Sequence, residues 1–337
     1  MNRNDPHSRV LLAEDEPLSR VRLKGHLEGW GFDVIVAADG TSAWAQLEAD
    51  DAPQLAIIDW LMPGLDGVEI CRRLRLRGRE PYVYVILLTG RDRREHVMEG
   101  FAAGADDYVI KPFDEHELEA RIRTGQRITT LQRELVQARE ALRYQATHDP
   151  LTGAFNRAAG REALGRELAR ARRDGSSVAA LILDLDHFKN VNDRHGHAGG
   201  DSVLCEVVAR VAAQLRPYDM LVRHGGEEFL AILPRCDVAQ AARIAERLRH
   251  AIADSAIALP AGGSTTVTAS FGVATSSGGE DDDVLLATAD EALFRAKRAG
   301  RNRVSIAPDQ ALPSTISPPG PPAPPVHFSK LATVGVR

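Results

Sequence analysis

Short apolar runs alternate with amphipathic stretches over the first third of the chain. Val10-Leu11-Leu12-Ala13, residues 32–37, Leu55-Ala56-Ile57-Ile58, residues 83–88 and Tyr108-Val109-Ile110 are apolar enough for strands buried on both faces. Between them, residues 17–29, 42–48, 67–76 and 93–103 carry apolar positions at helical spacing, and a further helix starts near Asp114. Strands and helices in this alternation predict a doubly wound α/β domain with a parallel sheet over residues 8–125.

The rhythm then changes. From 115 to 146 there is no proline and a single glycine, Gly125. Ile128, Leu131, Leu135, Ala138, Leu142 and Gln145 follow three-four spacing, with arginine, glutamate and glutamine on the other faces. A helix over 114–147 either packs on one of its own domains or forms the seam of a parallel dimer stalk. The regular seam favours the stalk, and its short, partly polar character predicts a weak dimer that is easily regulated.

His148-Asp149-Pro150-Leu151-Thr152-Gly153 has turn chemistry and opens a second unit, 148–307. Helices are expected from Arg157 to about Arg172, over 203–215 and 238–253, and around 289–297. Strands are expected at 178–183 and 267–273. Apolar arms on either side of Gly225-Gly226, within 221–233, read as a β-hairpin whose tight turn uses glycine at positive φ. Two helices against a largely antiparallel sheet make this unit α+β and ferredoxin-like. Residues 308–337, with Pro318-Pro319-Gly320-Pro321-Pro322, read as a disordered tail.

Composition narrows the function. A length of 337 residues leaves room for two domains, and a net charge of -5 gives no general attraction to nucleic acid or anionic membrane. The first apolar run breaks at once at Glu14-Asp15-Glu16, which argues against a secretory signal, and no run approaches the ~20 residues of a membrane span. Cys71, Cys205 and Cys236 are odd in number and widely spaced, so a reducing cytoplasm is expected.

In parallel α/β sheets, ligands collect at the carboxyl ends of the strands. Glu14 and Asp15 follow the first strand, Asp59 the third, Thr89 the fourth and Lys111 the fifth. Three acids converging on one edge imply a bound cation, since unscreened they would raise one another's pKa. Lys111 adds a mobile positive charge and Thr89 a hydroxyl; Lys111-Pro112 is a candidate cis-proline site that would aim the lysine. In the second unit Asp184 ends a buried strand, and Glu227 and Glu228 lie just past the hairpin turn. Acids on neighbouring strands can share divalent cations, as nucleotidyl and phosphoryl transfer require. Lys189, Lys297 and Arg301 are cationic candidates for phosphate. His187, His195, His197 and His224 crowd the region at no zinc-like spacing and read as loop residues.

The first unit resembles the receiver domain of bacterial two-component response regulators. The likeness rests on Leu12-Ala13-Glu14-Asp15-Glu16, Asp59-Trp60-Leu61-Met62-Pro63-Gly64, Thr89-Gly90 and Tyr108-Val109-Ile110-Lys111-Pro112-Phe113. It implies that Asp59 is a phosphoacceptor served by a cognate histidine kinase. It further implies Mg2+ held by Glu14, Asp15, Asp59 and the Leu61 carbonyl, phosphoryl contacts from Thr89 and Lys111, and Tyr108 as an aromatic switch.

The second unit resembles the GGDEF domain of diguanylate cyclases, here as a GGEEF variant. The matching pieces include Asp149-Pro150-Leu151-Thr152-Gly153, Asn156-Arg157, Asp184-Leu185-Asp186-His187-Phe188-Lys189, Asn192-Asp193, Gly200-Asp201, Gly225-Gly226-Glu227-Glu228-Phe229 and Gly300-Arg301-Asn302. The resemblance implies condensation of two GTP into cyclic di-GMP and pyrophosphate by a homodimer. It places Mg2+ or Mn2+ on Asp184, the Leu185 carbonyl and Glu227, with Glu227 helping to deprotonate the 3′-hydroxyl and Glu228 as the second signature acid. Asn192 and Asp201 would read guanine, and Lys189, Lys297 and Arg301 would hold phosphates. Arg216-Pro217-Tyr218-Asp219 stands at the separation of the family's product-inhibition site, with Arg243 and Arg247 one helical turn apart as candidate assistants. Ala158 departs from the family's usual second arginine, which puts in doubt one contact near the start of the domain. A catalytically silent binding module is argued against by the intact acids and guanine readers, and a DNA-binding output by the absence of a helix-turn-helix or basic surface.

Overall fold

The strands β1 (Arg9–Ala13), β2 (Asp33–Ala37), β3 (Leu55–Asp59), β4 (Tyr84–Thr89) and β5 (Asp107–Ile110) lie parallel in the order β2-β1-β3-β4-β5. In this computed structural model the described residues are 9–78, 80–90 and 94–308. The chain divides into two units, one ending at Leu142 and the next beginning at Arg143.

Helices cover both faces of the first sheet, which is why its central strands are apolar at every position. Leu11, Ile58, Val85 and Leu87 pack with Ala43 and Leu47 of α2 (Gly40–Glu48) and with Val68 and Ile70 of α3 (Gly67–Arg77). Their neighbours Val10, Leu12, Ile57 and Ile86 point the other way, onto Leu23 and Leu27 of α1 (Pro17–Gly29) and Leu118 and Ile122 of α5 (Glu115–Thr147). The remaining helix is α4 (Arg94–Ala102). Asp39 and Asp66 cap α2 and α3 by accepting from the Ser42 and Glu69 amides at 2.8 and 2.7 Å. The strand order reverses between β1 and β3, so the ends of these two strands border the crevice where such folds bind ligands.

Along α5 the expected seam is largely open: Leu131, Leu135 and Leu142 are 54%, 65% and 65% exposed, while Ile128 packs partly against the first core. Among the described residues no helix is long and apolar enough to cross a membrane.

The second unit holds α6 (Arg157–Asp174), β6 (Val178–Leu185), α7 (Phe188–Ala212), β7 (Met220–Gly225), β8 (Glu228–Pro234), α8 (Val238–Ala253), the short β9 (Ile257–Ala258) and β10 (Ser264–Thr265), β11 (Ala269–Ser276), α9 (Asp282–Arg298) and β12 (Val304–Ile306). Its main sheet runs β12-β11-β6-β8-β7 and is antiparallel except for β11 with β12. The four expected helices lie two on each face of the sheet. Leu181, Leu183, Phe229 and Phe271 pack toward α7 and α8; Ala180, Ile182, Leu230 and Ile232 pack toward α6 and α9. Strand alternation therefore turns Asp184 and Glu228 to the α9 face, and their Cα positions pair across β6 and β8.

Three expectations change. The helix expected from Val203 is preceded by a further helical segment from Phe188, and the two segments of α7 meet where Gly196 leaves helical geometry at φ 70°, ψ 172°. Glycine tolerates that conformation, and a polar, glycine-rich stretch hides a helix from periodicity. His195 and His197 consequently belong to α7 and His224 to β7, so they are not loop residues; among the four only His187 stands outside regular structure, capping α7 at φ 57°. Glu227 lies in the hairpin turn itself, with Gly226 at φ 38°, and Glu228 is the first residue of β8. The tail beyond Pro308 lies outside the described residues.

Candidate active site

At the β1–β3 edge, Glu14, Asp15 and Asp59 offer carboxylate oxygens that all lie within 4.8 Å of one another. Lys111 Nζ reaches Glu14 Oε2 at 2.6 Å and Asp59 Oδ2 at 2.9 Å. Glu14 is 1% exposed, and its Oε1 is buried without a hydrogen-bond partner. A buried carboxylate oxygen left unpaired is costly, and a divalent cation among three hard oxygen donors would satisfy it. The residues present fit such an ion. Burial, reinforced by Asp59, pushes the Glu14 carboxyl above the ordinary range against the pull of Lys111. Thr89 is buried at the end of β4, the Leu61 side chain points outward, and Tyr108 stands edge-on to Phe101 with ring centres 5.5 Å apart. The Lys111–Pro112 peptide is cis.

In the second unit, Asp184 at the end of β6 receives Lys297 Nζ of α9 at 2.9 Å. Glu227 lies close enough for its carboxyl to be raised by burial first and by Asp184 and Glu228 in addition, with Lys297 opposing. Burial likewise raises Asp184, with Lys297 and Arg301 pulling it down. Adjacent carboxyls held part-buried on one strand edge suit a cation, which would relieve their repulsion. The pair is completed by no third acid at metal-binding spacing among the described residues, so backbone or ligand oxygens would have to supply the rest of the shell.

The structure does not bring every candidate to this edge. Lys189 is exposed on the first turn of α7, whose body packs on the opposite face of the sheet. Asn192 is half-buried and faces Gly200 across the bend, where a Cβ would overlap its Oδ1; Asp201 follows on the surface. Around the second motif, Asp219 Oδ2 accepts from the Arg216 amide at 2.9 Å and the Arg216 guanidinium lies over Tyr218. Burial raises the Asp219 carboxyl while Arg216 and Arg247 lower it, which puts Arg247 within electrostatic reach of the turn. Arg243 sits one turn away on α8, exposed. Ala158 is exposed at the start of α6.

One side chain that motif reading passed over is Arg223. Its Nε and Nη2 donate to the Gly226 carbonyl at 3.1 and 2.9 Å, and Nη1 donates to Asp149 Oδ1 at 2.9 Å. Asp149 also accepts from the Thr152 amide and hydroxyl. The hairpin turn is thereby tied to the turn that follows α5. The signal in the sequence was a charge two residues before Gly-Gly inside an apolar arm. Burial alone would raise Asp149, but the hydrogen bonds from Thr152 and Arg223 prevail and hold it below the ordinary carboxylate range. A depressed carboxyl contributes stability that is present above its unfolded value and is lost as pH falls through its folded value. Asp149→Asn is expected to lower the melting temperature of the second unit at pH 7 and to flatten its decline below about pH 4. Parallel slopes for the two proteins in melts from pH 7 to 3 would contradict this.

Comparison with known proteins agrees with this geometry. The family described as "Diguanylate cyclase, GGDEF domain" matches residues 146–303, and "Response regulator receiver domain" matches residues 10–123. The response regulator PleD of Caulobacter vibrioides is 33% identical over 301 residues, covering 88% of this chain and 65% of PleD. Diguanylate cyclase DgcP of Pseudomonas aeruginosa is 42% identical over 168 residues, half of this chain and 25% of DgcP. This chain thus spans less than two thirds of either relative. The solved coiled coil and GGDEF domain of DgcB from Caulobacter crescentus, in complex with c-di-GMP, is similar at 33% identity and a TM-score of 0.52, covering 56% of this chain and 99% of that one. The chain therefore carries a response regulator receiver domain followed by a diguanylate cyclase GGDEF domain.

Proposed function

We propose that this chain is a phosphorylation-regulated diguanylate cyclase that joins two GTP into cyclic di-GMP as a homodimer. The observation that carries this reading is Asp184 at the end of β6 beside Glu227 of the hairpin turn, whose carbonyl accepts from the Leu185 amide at 3.4 Å, with Lys297 2.9 Å from Asp184. Asp184, Glu227 and the Leu185 carbonyl are the proposed holders of Mg2+ or Mn2+, which when bound would neutralise charge on the reacting phosphate. Lys297 and Arg301 take up the negative charge of the triphosphate. Asp201 accepts from guanine's N1–H and 2-amino group, and Asn192 adds its side-chain amide to the same edge; adenine lacks that donor pair and would leave the acid unpaired. The raised carboxyl of Glu227 suits proton acceptance from a 3′-hydroxyl. The freed oxygen bonds to the α-phosphorus of the partner GTP as the bond to pyrophosphate breaks, and the reciprocal attack closes the ring with loss of a second pyrophosphate. Each domain binds one nucleotide, so two must face each other. The exposed Leu131, Leu135 and Leu142 support a stalk that brings them together.

Control is assigned to the receiver. Asp59 accepts a phosphoryl group from a histidine kinase, with Lys111 and Thr89 contacting it and Glu14 and Asp15 holding the cation. The deciding experiment incubates the purified protein with Mg2+ and GTP, with and without beryllofluoride. Cyclic di-GMP is expected, faster with beryllofluoride, and Asp59→Asn is expected to lose the response. No product in either condition refutes the cyclase reading; an undiminished response in Asp59→Asn refutes the regulation. Arg216 and Asp219, assisted by Arg247 and Arg243, are the proposed feedback site for product. Arg216→Ala is expected to raise the product concentration that halves the rate by about tenfold, the worth of one charge-assisted contact; an unchanged inhibition curve removes that site.

A further inference from the structure

Asp186 is a buried carboxylate that no step above uses. It is 6% exposed. Its Oδ2 accepts from the Thr268 hydroxyl at 2.7 Å and from the Asn302 amide at 3.0 Å, and its Oδ1 accepts from the Ser270 hydroxyl at 2.7 Å. Its own amide donates to the Thr268 carbonyl at 2.8 Å. A carboxylate is taken out of water only where such donors replace the solvent.

The donors come from separate parts of the fold. Thr268 precedes β11, Ser270 lies within it, and Asn302 belongs to the turn that follows α9. That turn is conformationally unfavourable: Arg301 and Asn302 are consecutive non-glycine residues at φ 62° and 45°, after Gly300 at φ 112°. Such backbone persists only where its surroundings over-determine it. The Arg301 amide donates to the Ala296 carbonyl at 3.1 Å, and Asn302 Oδ1 accepts from Arg249 at 2.9 Å. The Asp186 carboxylate supplies the charge-assisted bond at the centre of this arrangement. Lys297, on the last turn of the same helix, already reaches Asp184, two residues before Asp186 on the chain.

We propose that Asp186 is the positioning residue for Arg301. Its carboxylate clamps the left-handed turn onto the end of the sheet, so that an exposed guanidinium is presented in one orientation beside Asp184 before any nucleotide arrives. This rests on the reading that Lys297 and Arg301 hold GTP phosphates. Asp186 touches no reacting atom and acts through the turn alone.

The test uses the full-length protein, Mg2+ and a non-hydrolysable GTP analogue. Asp186→Ala is expected to raise the dissociation constant about tenfold, the scale of one lost charge-assisted hydrogen bond, and Asp186→Asn, which keeps an acceptor oxygen for the Asn302 amide, to recover most of that loss. In an Arg301→Ala background the Asp186 substitution is expected to add less than twofold, because the group it positions is gone. Amide exchange in the segment 300–304 is expected to quicken in Asp186→Ala without nucleotide present. Should the alanine variant lose its cooperative melt, the asparagine variant carries the same comparisons. Unchanged exchange, or effects of Asp186 and Arg301 that simply multiply, would overturn the positioning role. An Arg301→Ala variant that binds the analogue as well as wild type would instead overturn the phosphate reading, leaving the exchange result to judge Asp186 alone.

Discussion

Glu227→Gln is expected to lower cyclic di-GMP synthesis by about three orders of magnitude, within the 10²–10⁴ that positioned acid–base groups contribute. Under the proposed mechanism one side chain serves twice. It completes the cation site with Asp184, and it takes the 3′-hydroxyl proton. Glutamine keeps the size and the hydrogen-bonding shape but carries no charge for a cation and no basic oxygen for a proton. Its position in the two-residue turn between β7 and β8, part-buried and outside the core, predicts that the melting temperature barely moves. The pairing of intact stability with lost turnover separates a chemical role from a structural one. Product formation within tenfold of wild type, measured at saturating GTP, would remove Glu227 from the reaction.

How far the sequence announced this depended on what each element buries. The receiver strands were legible because both faces are covered, which leaves uninterrupted apolar runs such as Ala56-Ile57-Ile58 and Val85-Ile86-Leu87-Leu88. Residues at their ends then stood out against the pattern, and the fold gathers Glu14, Asp15, Asp59 and Lys111 at one edge. In the second unit Asp184 was equally visible, a charge closing an eight-residue buried strand. The first half of α7 was hidden, because Lys189, Asn192, Asp193, Arg194 and His195 present too few apolar positions to show helical spacing. The strand β12 is only three residues long, too short to alternate detectably. Hardest to read were Arg223 and Asp186. Their roles come from partners 74 and 116 positions away, Asp149 and Asn302, and only the folded chain puts those side by side.

The electrostatics of the two acidic sites share one logic. In each, a lysine from a neighbouring element lies against a strand-end carboxylate: Lys111 on Asp59 and Glu14, Lys297 on Asp184. Neither lysine removes the penalty on the most crowded acid, since Glu14 and Glu227 both remain raised by burial. Each site therefore suits added positive charge, which a divalent cation would meet and a second lysine, with its longer contact distance and single charge, would meet poorly. The cost of holding these acids together is borne by the cores behind them, which makes packing behind the second site a point of vulnerability.

Gly272→Ala is expected to destabilise the second unit by about 3 kcal/mol, the upper end for overpacking, and to lower its melting temperature by roughly 6–12 °C. Gly272 lies in the middle of β11, paired with Ile182 of β6, and its bare face receives α9. A Cβ there would overlap the Ala289 carbonyl oxygen and the Leu293 amide nitrogen, and would lie 2.8 Å from Leu293 Cα. These are backbone atoms on successive turns of one helix, so no side chain can rotate aside; α9 itself must move. The sign is diagnostic. Glycine weakens a strand interior, and replacing it by alanine normally stabilises by about 0.4–1 kcal/mol through the unfolded chain. Only the close approach of α9 reverses that preference. Because Lys297 rides on α9, the folded fraction is also expected to bind the GTP analogue more weakly, whereas the receiver, a separate unit with its own cores, should melt as before. Calorimetry of the full-length variant tests all of this at once. A second-unit transition that holds or rises would mean that α9 does not lie against β11 at Gly272, and the placement of Lys297 beside Asp184 would fall with it.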